Sequence, residues 1–265
     1  FTPSVNFNNF RFFTQQWSET SYPDETNYDL VTRNQPRNFW DRMYVYSINN
    51  YQQAKKNIPE ELSDPANADA DVVTNKYATL EIAEIFVWEH LVDTYGDIPY
   101  TDAMKAADGL YAPKYDDAKA IYTSLLSRID AATAKIVTTK SGYTSGDLIY
   151  HGNMSKWKKF ANSIKLRLAM NLADKDPATA KAAAEAAIAS GVFTSDADSY
   201  SFKFDTGTFP NPVYDDVVGS GRNDFLPSDI LVDQLNANSD PRRSTWFTTA
   251  EDEDGNQAYI GGVFG

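Results

Sequence analysis

Between Trp17 and Trp40 the chain gathers the two kinds of side chain with which proteins hold sugars and peptides, flat aromatic faces and directional hydrogen-bonding groups. Trp17, Tyr22, Tyr28 and Trp40 offer rings that stack on a pyranose or a peptide plane. Arg33, Arg37 and Asn38 offer donors that fix the orientation of what is stacked. Thr20, Asp24 and Asn34 keep the stretch polar, so Tyr22 and Tyr28 read as surface residues, whereas Trp40 also suits a core. Ten aromatic residues fall between positions 10 and 46 of a chain that is 14% aromatic overall, and this concentration marks the segment as the candidate ligand-binding surface. Its chemistry fits sugars and peptides alike.

Other strings that could carry chemistry have simpler structural readings. Gly96-Asp97-Ile98-Pro99 resembles a phosphate or metal turn, but a glycine cap, an aspartate bonding local backbone N–H groups and a proline that stops the helix account for it. Asp252-Glu253-Asp254-Gly255-Asn256 supplies oxygen ligands without the distal bidentate glutamate of a calcium loop, and reads as a solvated acidic turn. His90 and His151 stand in no ligand spacing. Gly219-Ser220-Gly221 lacks the strand and helix of a dinucleotide fingerprint. Asn153-Met154-Ser155 is a sequon by pattern only, with Ser155 more useful as a helix N-cap. No Ser-His-Asp or Cys-His order occurs, and Asp215-Asp216 are neighbours rather than opposed across a cleft. The reading is therefore a binding protein and not an enzyme, with no cofactor and no metal.

A net charge of −13 leaves no clustered Lys and Arg for phosphates, which disfavours nucleic acid, and it disfavours an anionic membrane surface for the same reason. With no cysteine, disulfides and thiolate metal sites are excluded. No apolar run approaches the roughly 18 residues of a membrane span.

The elements that must position the aromatic loop are helices. Spacings of three and four over Asn38–Lys56 and again over Asp71–Tyr95 predict amphipathic helices, with Gly96 at a left-handed C-terminus. Ile58–Ala70, rich in Pro, Asp, Ala and Glu, reads as a loop. Asp116–Val137 is a third helix. A fourth starts at Ser155 and carries Trp157, Phe160, Ile164 and Leu168. Asp176, Pro177 and Gly191 frame an alanine-rich fifth. The fourth and fifth form a tight antiparallel hairpin of the tetratricopeptide type, because small side chains let helices approach closely. Alternation at Tyr200, Phe202 and Phe204 has strand periodicity. Asp229–Leu235 is a short helix, and residues 251–265 show no pattern. The expected class is mainly α, helical hairpins with long loops and minor β.

Four strings then carry a resemblance: Tyr95-Gly96-Asp97-Ile98-Pro99-Tyr100; Pro113-Lys114-Tyr115-Asp116 leading to Ile121-Tyr122; Trp157-Lys158-Lys159-Phe160-Ala161-Asn162-Ser163 running on to Leu166-Arg167-Leu168; and Asp240-Pro241-Arg242. In this order and spacing the chain resembles the SusD/RagB nutrient-binding outer-membrane lipoproteins over roughly residues 10–265. The resemblance implies a helical body with tetratricopeptide-like hairpins on the outer face of the outer membrane. There it would act as a lid on a SusC-like TonB-dependent transporter and deliver an oligosaccharide or oligopeptide. It further implies that the stretch before the first helix lies near the ligand. Family members are about twice as long and begin at a lipidated cysteine, so residues 1–265 are expected to be one helical domain without its lipid anchor and C-terminal half. A helical-repeat scaffold that binds only proteins is the alternative, and a glycoside hydrolase comes third.

Overall fold

A computed structural model of the chain describes residues 8–63 and 69–264. In chain order the elements are α1 (Asn9–Phe13), β1 (Trp17–Glu19), α2 (Gln35–Asp41), a π-helical stretch Arg42–Ile48, α3 (Asn49–Ser63), α4 (Ala70–Tyr95), α5 (Ala118–Ala134), α6 (Met154–Asn171), α7 (Pro177–Ser190), α8 (Pro212–Tyr214), β2 (Phe225–Pro227), α9 (Asp229–Ala237), α10 (Arg243–Trp246), β3 (Ala250–Glu251) and β4 (Gln257–Ala258). The fold is mainly α, as the helical periodicities predict, and the described residues add two small antiparallel sheets. The chain divides into two compact units, Phe39–Lys203 and the combination of Phe1–Asn38 with Phe204–Gly265.

In the first unit each long helix packs on its neighbour in sequence, α3 on α4, α4 on α5, α5 on α6 and α6 on α7. α4 is the centre. Asp69 caps it by accepting from the N–H groups of Asp71 and Val72, and Gly96 ends it at φ +74°. The expected one-sided stripe does not describe this helix, because Ile82, Ile85, Trp88 and Leu91 are buried along with Glu81, Glu84 and Glu89. A helix buried all round its middle can keep carboxylates only if cations reach them. Lys55 Nζ lies 2.6 Å from Glu81 and 2.5 Å from Glu84. Arg128 bonds the same two at 2.6 and 3.1 Å, and Trp88 Nε1 donates to Glu84 at 2.9 Å. Arg167 forks onto Glu89, its Nε at 2.6 Å.

The α6–α7 hairpin forms as read, with Ala180 and Ala187 buried in it. Asp176 accepts from Thr179 N–H, Pro177 opens α7 and Gly191 follows its end. Asn162 Nδ2 donates to the carbonyls of Ser190 and Gly191, which a helix C-terminus leaves unpaired. The N-cap of α6 is Asn153, whose side chain accepts from Lys156 N–H, and not Ser155.

Two further expectations are corrected. Residues 58–63 are helical and not loop, since α3 runs on through Pro59 and is held there by the buried side chain of Ile58; residues 64–68 of that stretch lie outside the described residues. Residues 200–204 form no strand. Tyr200 stacks on Phe160, with ring centroids 4.0 Å apart and planes at 7°, and packing into the ring cluster around Trp157 overrides the alternation.

The second unit is built on the pairing of β1 with β2, Trp17 opposite Pro227 and Glu19 opposite Phe225. Phe12 and Phe225 are its small core, with Trp17, Val213 and Val217 packed against them. Ser228 caps α9 by accepting from Leu231 N–H. Gly261 passes so close to the start of α9 that a Cβ would lie 2.3 Å from Asp229 N, so only glycine fits. Residues 250–258, unpatterned in sequence, form the β3–β4 hairpin around Asp252, whose Oδ1 accepts from the N–H groups of Asp254 and Asn256.

Candidate functional site

The loop after β1 is held by its own polar residues. Asp29 accepts from Val31 N–H and Thr32 N–H, and Thr32 Oγ1 donates to it at 2.6 Å. Arg33 reaches three carboxylates, Asp24 at 3.1 Å, Glu25 at 3.3 Å and Glu19 at 3.8 Å. It also donates to the carbonyl of Tyr22 and lies 5.6 Å from that ring's centroid. Asn38 Nδ2 donates to Arg33 O, and Gln35 Nε2 to Glu25 at 2.6 Å. These bonds turn Arg33 and Asn38 inward as supports and push Tyr22 and Tyr28 outward, 69% and 59% exposed. Both tyrosines stand at positive φ, 64° and 61°, a conformation that L-residues seldom adopt. Tyr28 is stacked on Phe13 at 5.2 Å, and Arg37 is exposed on α2.

Glu19 and Glu25 beneath this loop have fully buried side chains. Burial pushes the Glu19 carboxyl up to about 7 from an ordinary 4.5, with the neighbouring Glu25 adding to it and Arg33 opposing. A folded chain that binds this proton more tightly than the unfolded one is favoured below pH 4.5 and loses that advantage as the pH rises through 7. Glu19→Gln is therefore expected to melt like the parent at pH 4.5 and to gain up to about 3 kcal/mol on it at pH 8, at about 1.4 kcal/mol per pH unit. Thermal melts of both proteins at the two pH values test this, and an equal difference at both rules it out.

The remaining expected residues lie elsewhere. Trp40 belongs to the helical unit, where it packs with Tyr44, Tyr95 and Tyr115 at centroid distances of 4.6, 5.1 and 6.3 Å. Trp17 carries the Arg11 guanidinium 4.6 Å from one ring centroid and borders a cleft of about 430 Å³. That volume falls within the roughly 300–1,000 Å³ of small-ligand sites. Phe225, buried, closes the cleft, Tyr214 and Trp246 border it 52% and 51% exposed, and Phe247, Asn211 and an aliphatic set running from Val213 to Val218 and over Leu226 and Pro227 supply the rest of its wall. Asn211 positions Tyr214 by capping α8, its Oδ1 accepting from Val213 and Tyr214 N–H.

Sequence reasoning missed Tyr214 and Trp246. Both are aromatic residues in polar surroundings, the signal that marks the Trp17–Trp40 stretch, Tyr214 just after Pro210 and Pro212 and Trp246 just after Asp240-Pro241-Arg242. What the cleft can do chemically is stack. It presents ring faces at partial exposure with few polar groups, which suits the apolar faces of sugar rings.

The other motifs are structural. Asp97 does not bond local N–H groups; its Oδ1 accepts from Ala118 N–H at the start of α5. Tyr44 donates to Pro99 O at 2.6 Å, and Asp116 accepts from the N–H groups of Tyr100 and Thr101. The turn thus staples α4 to α5. His90 packs on Phe86, with Nδ1 2.9 Å from the Phe86 carbonyl. Among the described residues no group of three or more His, Asp or Glu side chains is arranged to hold a metal, and no helix is long and apolar enough to cross a membrane.

Comparison with known proteins gives a family and a fold. A SusD-like family model, described as starch-binding and associating with the outer membrane, matches residues 2–265. Among solved structures, a chitin-binding protein shares 27% identity at a TM-score of 0.73, covering 96% of this chain and 54% of its own. A SusD-like protein from Bacteroidetes shares 28% at 0.69, covering 91% and 46%. A SusD homolog from Bacteroides uniformis shares 25% at 0.66, covering 97% and 54%. The chain thus spans about half the length of these structures. Comparison with curated protein sequences finds no match.

Proposed function

The chain belongs to the SusD-like family of starch-binding proteins that associate with the outer membrane, and from that premise we propose that it captures an oligosaccharide at the cell surface and performs no reaction on it. In this reading it faces the exterior, held to the membrane through a lipid anchor. It hands its cargo to a SusC-like TonB-dependent transporter, over which it acts as a lid. The observation that carries the proposal is the cleft shared by Trp17, Tyr214 and Trp246, where rings from distant parts of the sequence meet at partial exposure. Side chains that expensive to leave wet are kept at a surface for a ligand to cover.

A second reading, a scaffold that binds only proteins, is supported by the stacked hairpins α4 to α7. Isothermal titration against maltoheptaose, chitohexaose and an oligopeptide separates them. Micromolar or tighter binding of one oligosaccharide supports capture, a peptide-only response replaces the sugar by a peptide cargo, and no binding to any of the three leaves the scaffold.

The loop contributes in this proposal as a rim. Tyr22→Ala combined with Tyr28→Ala is expected to weaken oligosaccharide binding about fivefold, about 1 kcal/mol at 1.4 kcal/mol per tenfold, without altering the far-ultraviolet helix signal. Unchanged affinity in the same titration removes the loop from the site.

A further inference from the structure

Trp246 borders two depressions at once. The aromatic cleft is one. The other is a recess of about 330 Å³ in which Gln16, Gln234, Asp240 and Arg242 stand beside Leu231 and Leu235, with Trp246 at its edge, so polar side chains and an ion pair are added there to an apolar floor.

Asp240 and Arg242 form its charged corner. Asp240 Oδ1 accepts from Arg242 N–H and Nε, both at 2.9 Å, and its Oδ2 from Nη2 at 2.5 Å. The fork beside it holds the Asp240 carboxyl down near 2, so it is an acceptor at every physiological pH. The same guanidinium lies 4.8 Å from the Trp246 ring centroid. Arg242 borders the recess and not the cleft, so this cation–π contact supports Trp246 from the recess side. Around this corner the side-chain amides of Gln16 and Gln234 have no hydrogen-bond partner among the described residues.

We propose that the recess is a second sugar subsite, in which an oligosaccharide seated in the aromatic cleft continues past Trp246 and places the hydroxyls of its next residue among these polar groups. The inference rests on the glycan-binding reading and deepens it. Vicinal hydroxyls donate and accept together, and the recess supplies both functions: carboxylate oxygens that accept, a guanidinium that donates and amides that do either. The ion pair cancels its own charge, so the ligand selected is a neutral sugar. The division of labour follows from the lining, with stacking in the cleft giving affinity and hydrogen bonds in the recess reading the hydroxyl pattern.

The double variant Gln16→Ala with Gln234→Ala removes the two unpartnered amides and no bond internal to the protein. Titrated with maltoheptaose and maltose, and with chitohexaose and chitobiose, it is expected to bind the long oligomer about tenfold more weakly than the parent does and the disaccharide unchanged, since a disaccharide is accommodated by the cleft. If the pair melts early, Gln234→Ala alone, exposed on α9, gives the same reading with a smaller loss. An unaltered affinity for the long oligomer, in a parent that binds it, overturns the subsite and leaves glycan capture standing. A parent that binds neither oligomer overturns capture itself and the subsite with it.

Discussion

Arg128→Ala is expected to destabilise the chain by about 3 kcal/mol, the lower end of the ~3–5 kcal/mol that removal of one partner from a buried ion pair costs. The lower end applies because the Arg128 side chain keeps 24% of its exposure. The loss arises on α4. Without Arg128 the carboxylates of Glu81 and Glu84 share the charge of Lys55, with Trp88 still donating to Glu84, and Tyr100 loses the guanidinium at its hydroxyl, 2.9 Å away. Arg128→Lys keeps the charge without the planar fork that bonds two carboxylates together, so it should fall between the parent and the alanine variant. Burial raises the Glu81 carboxyl, but the bonds from Arg128 and Lys55 outweigh it and hold the pKa below its ordinary 4.5. The stabilisation is therefore present above that value and lost as the pH falls through the depressed one, so parent and variant should converge in acid. Urea unfolding at pH 7 and pH 3 reads both effects, and a variant within about 0.5 kcal/mol of the parent at pH 7 removes the network from the account of stability.

That network also shows where the sequence becomes hard to read. The ends of α7 were legible because caps are local: Asp176, Pro177 and Gly191 announce it with no help from the rest of the chain. The burial of α4 was not legible, since Glu81, Glu84 and Glu89 look like the wet side of an amphipathic helix until Lys55, Arg128 and Arg167 arrive from other elements. The alternation at Tyr200 misled for the same kind of reason: a period of two records which residues are large, and Phe160 and Trp157 decide where a large residue goes. The candidate site is the extreme case. Three of its residues, Tyr22, Tyr28 and Arg33, lie within one loop, with Arg37 and Asn38 on the helix that follows, so they could be read together, and Trp17 was read with them. The residues that Trp17 borders, Tyr214 and Trp246, arrive only because β1 pairs with β2 across most of the chain. No local pattern records that pairing, since β1 and β2 are each three residues long.

Trp246→Ala is the substitution expected to harm binding most, by about 30-fold or more, from the ~2 kcal/mol or more that truncating a central aromatic anchor costs at about 1.4 kcal/mol per tenfold. Its position justifies the size. Trp246 is the side chain common to the cleft and the recess, so its removal takes away a stacking face on one side and the support of Arg242 on the other. The fold should survive, because the ring is 51% exposed and stands outside the Phe12–Phe225 core. Trp246→Phe keeps a flat face in the cleft and should recover part of the affinity. Titration of parent and variants with the oligosaccharide that the parent prefers gives the answer, and the comparison with Tyr22→Ala/Tyr28→Ala makes it informative. If the loop pair abolishes binding and Trp246→Ala leaves it intact, the ligand lies on the outward tyrosines and the cleft is a structural hollow. If Trp246→Ala abolishes binding and the loop pair only weakens it, cargo is gripped beside the pairing of β1 with β2, and the loop of Tyr22 and Tyr28 is the edge of that grip.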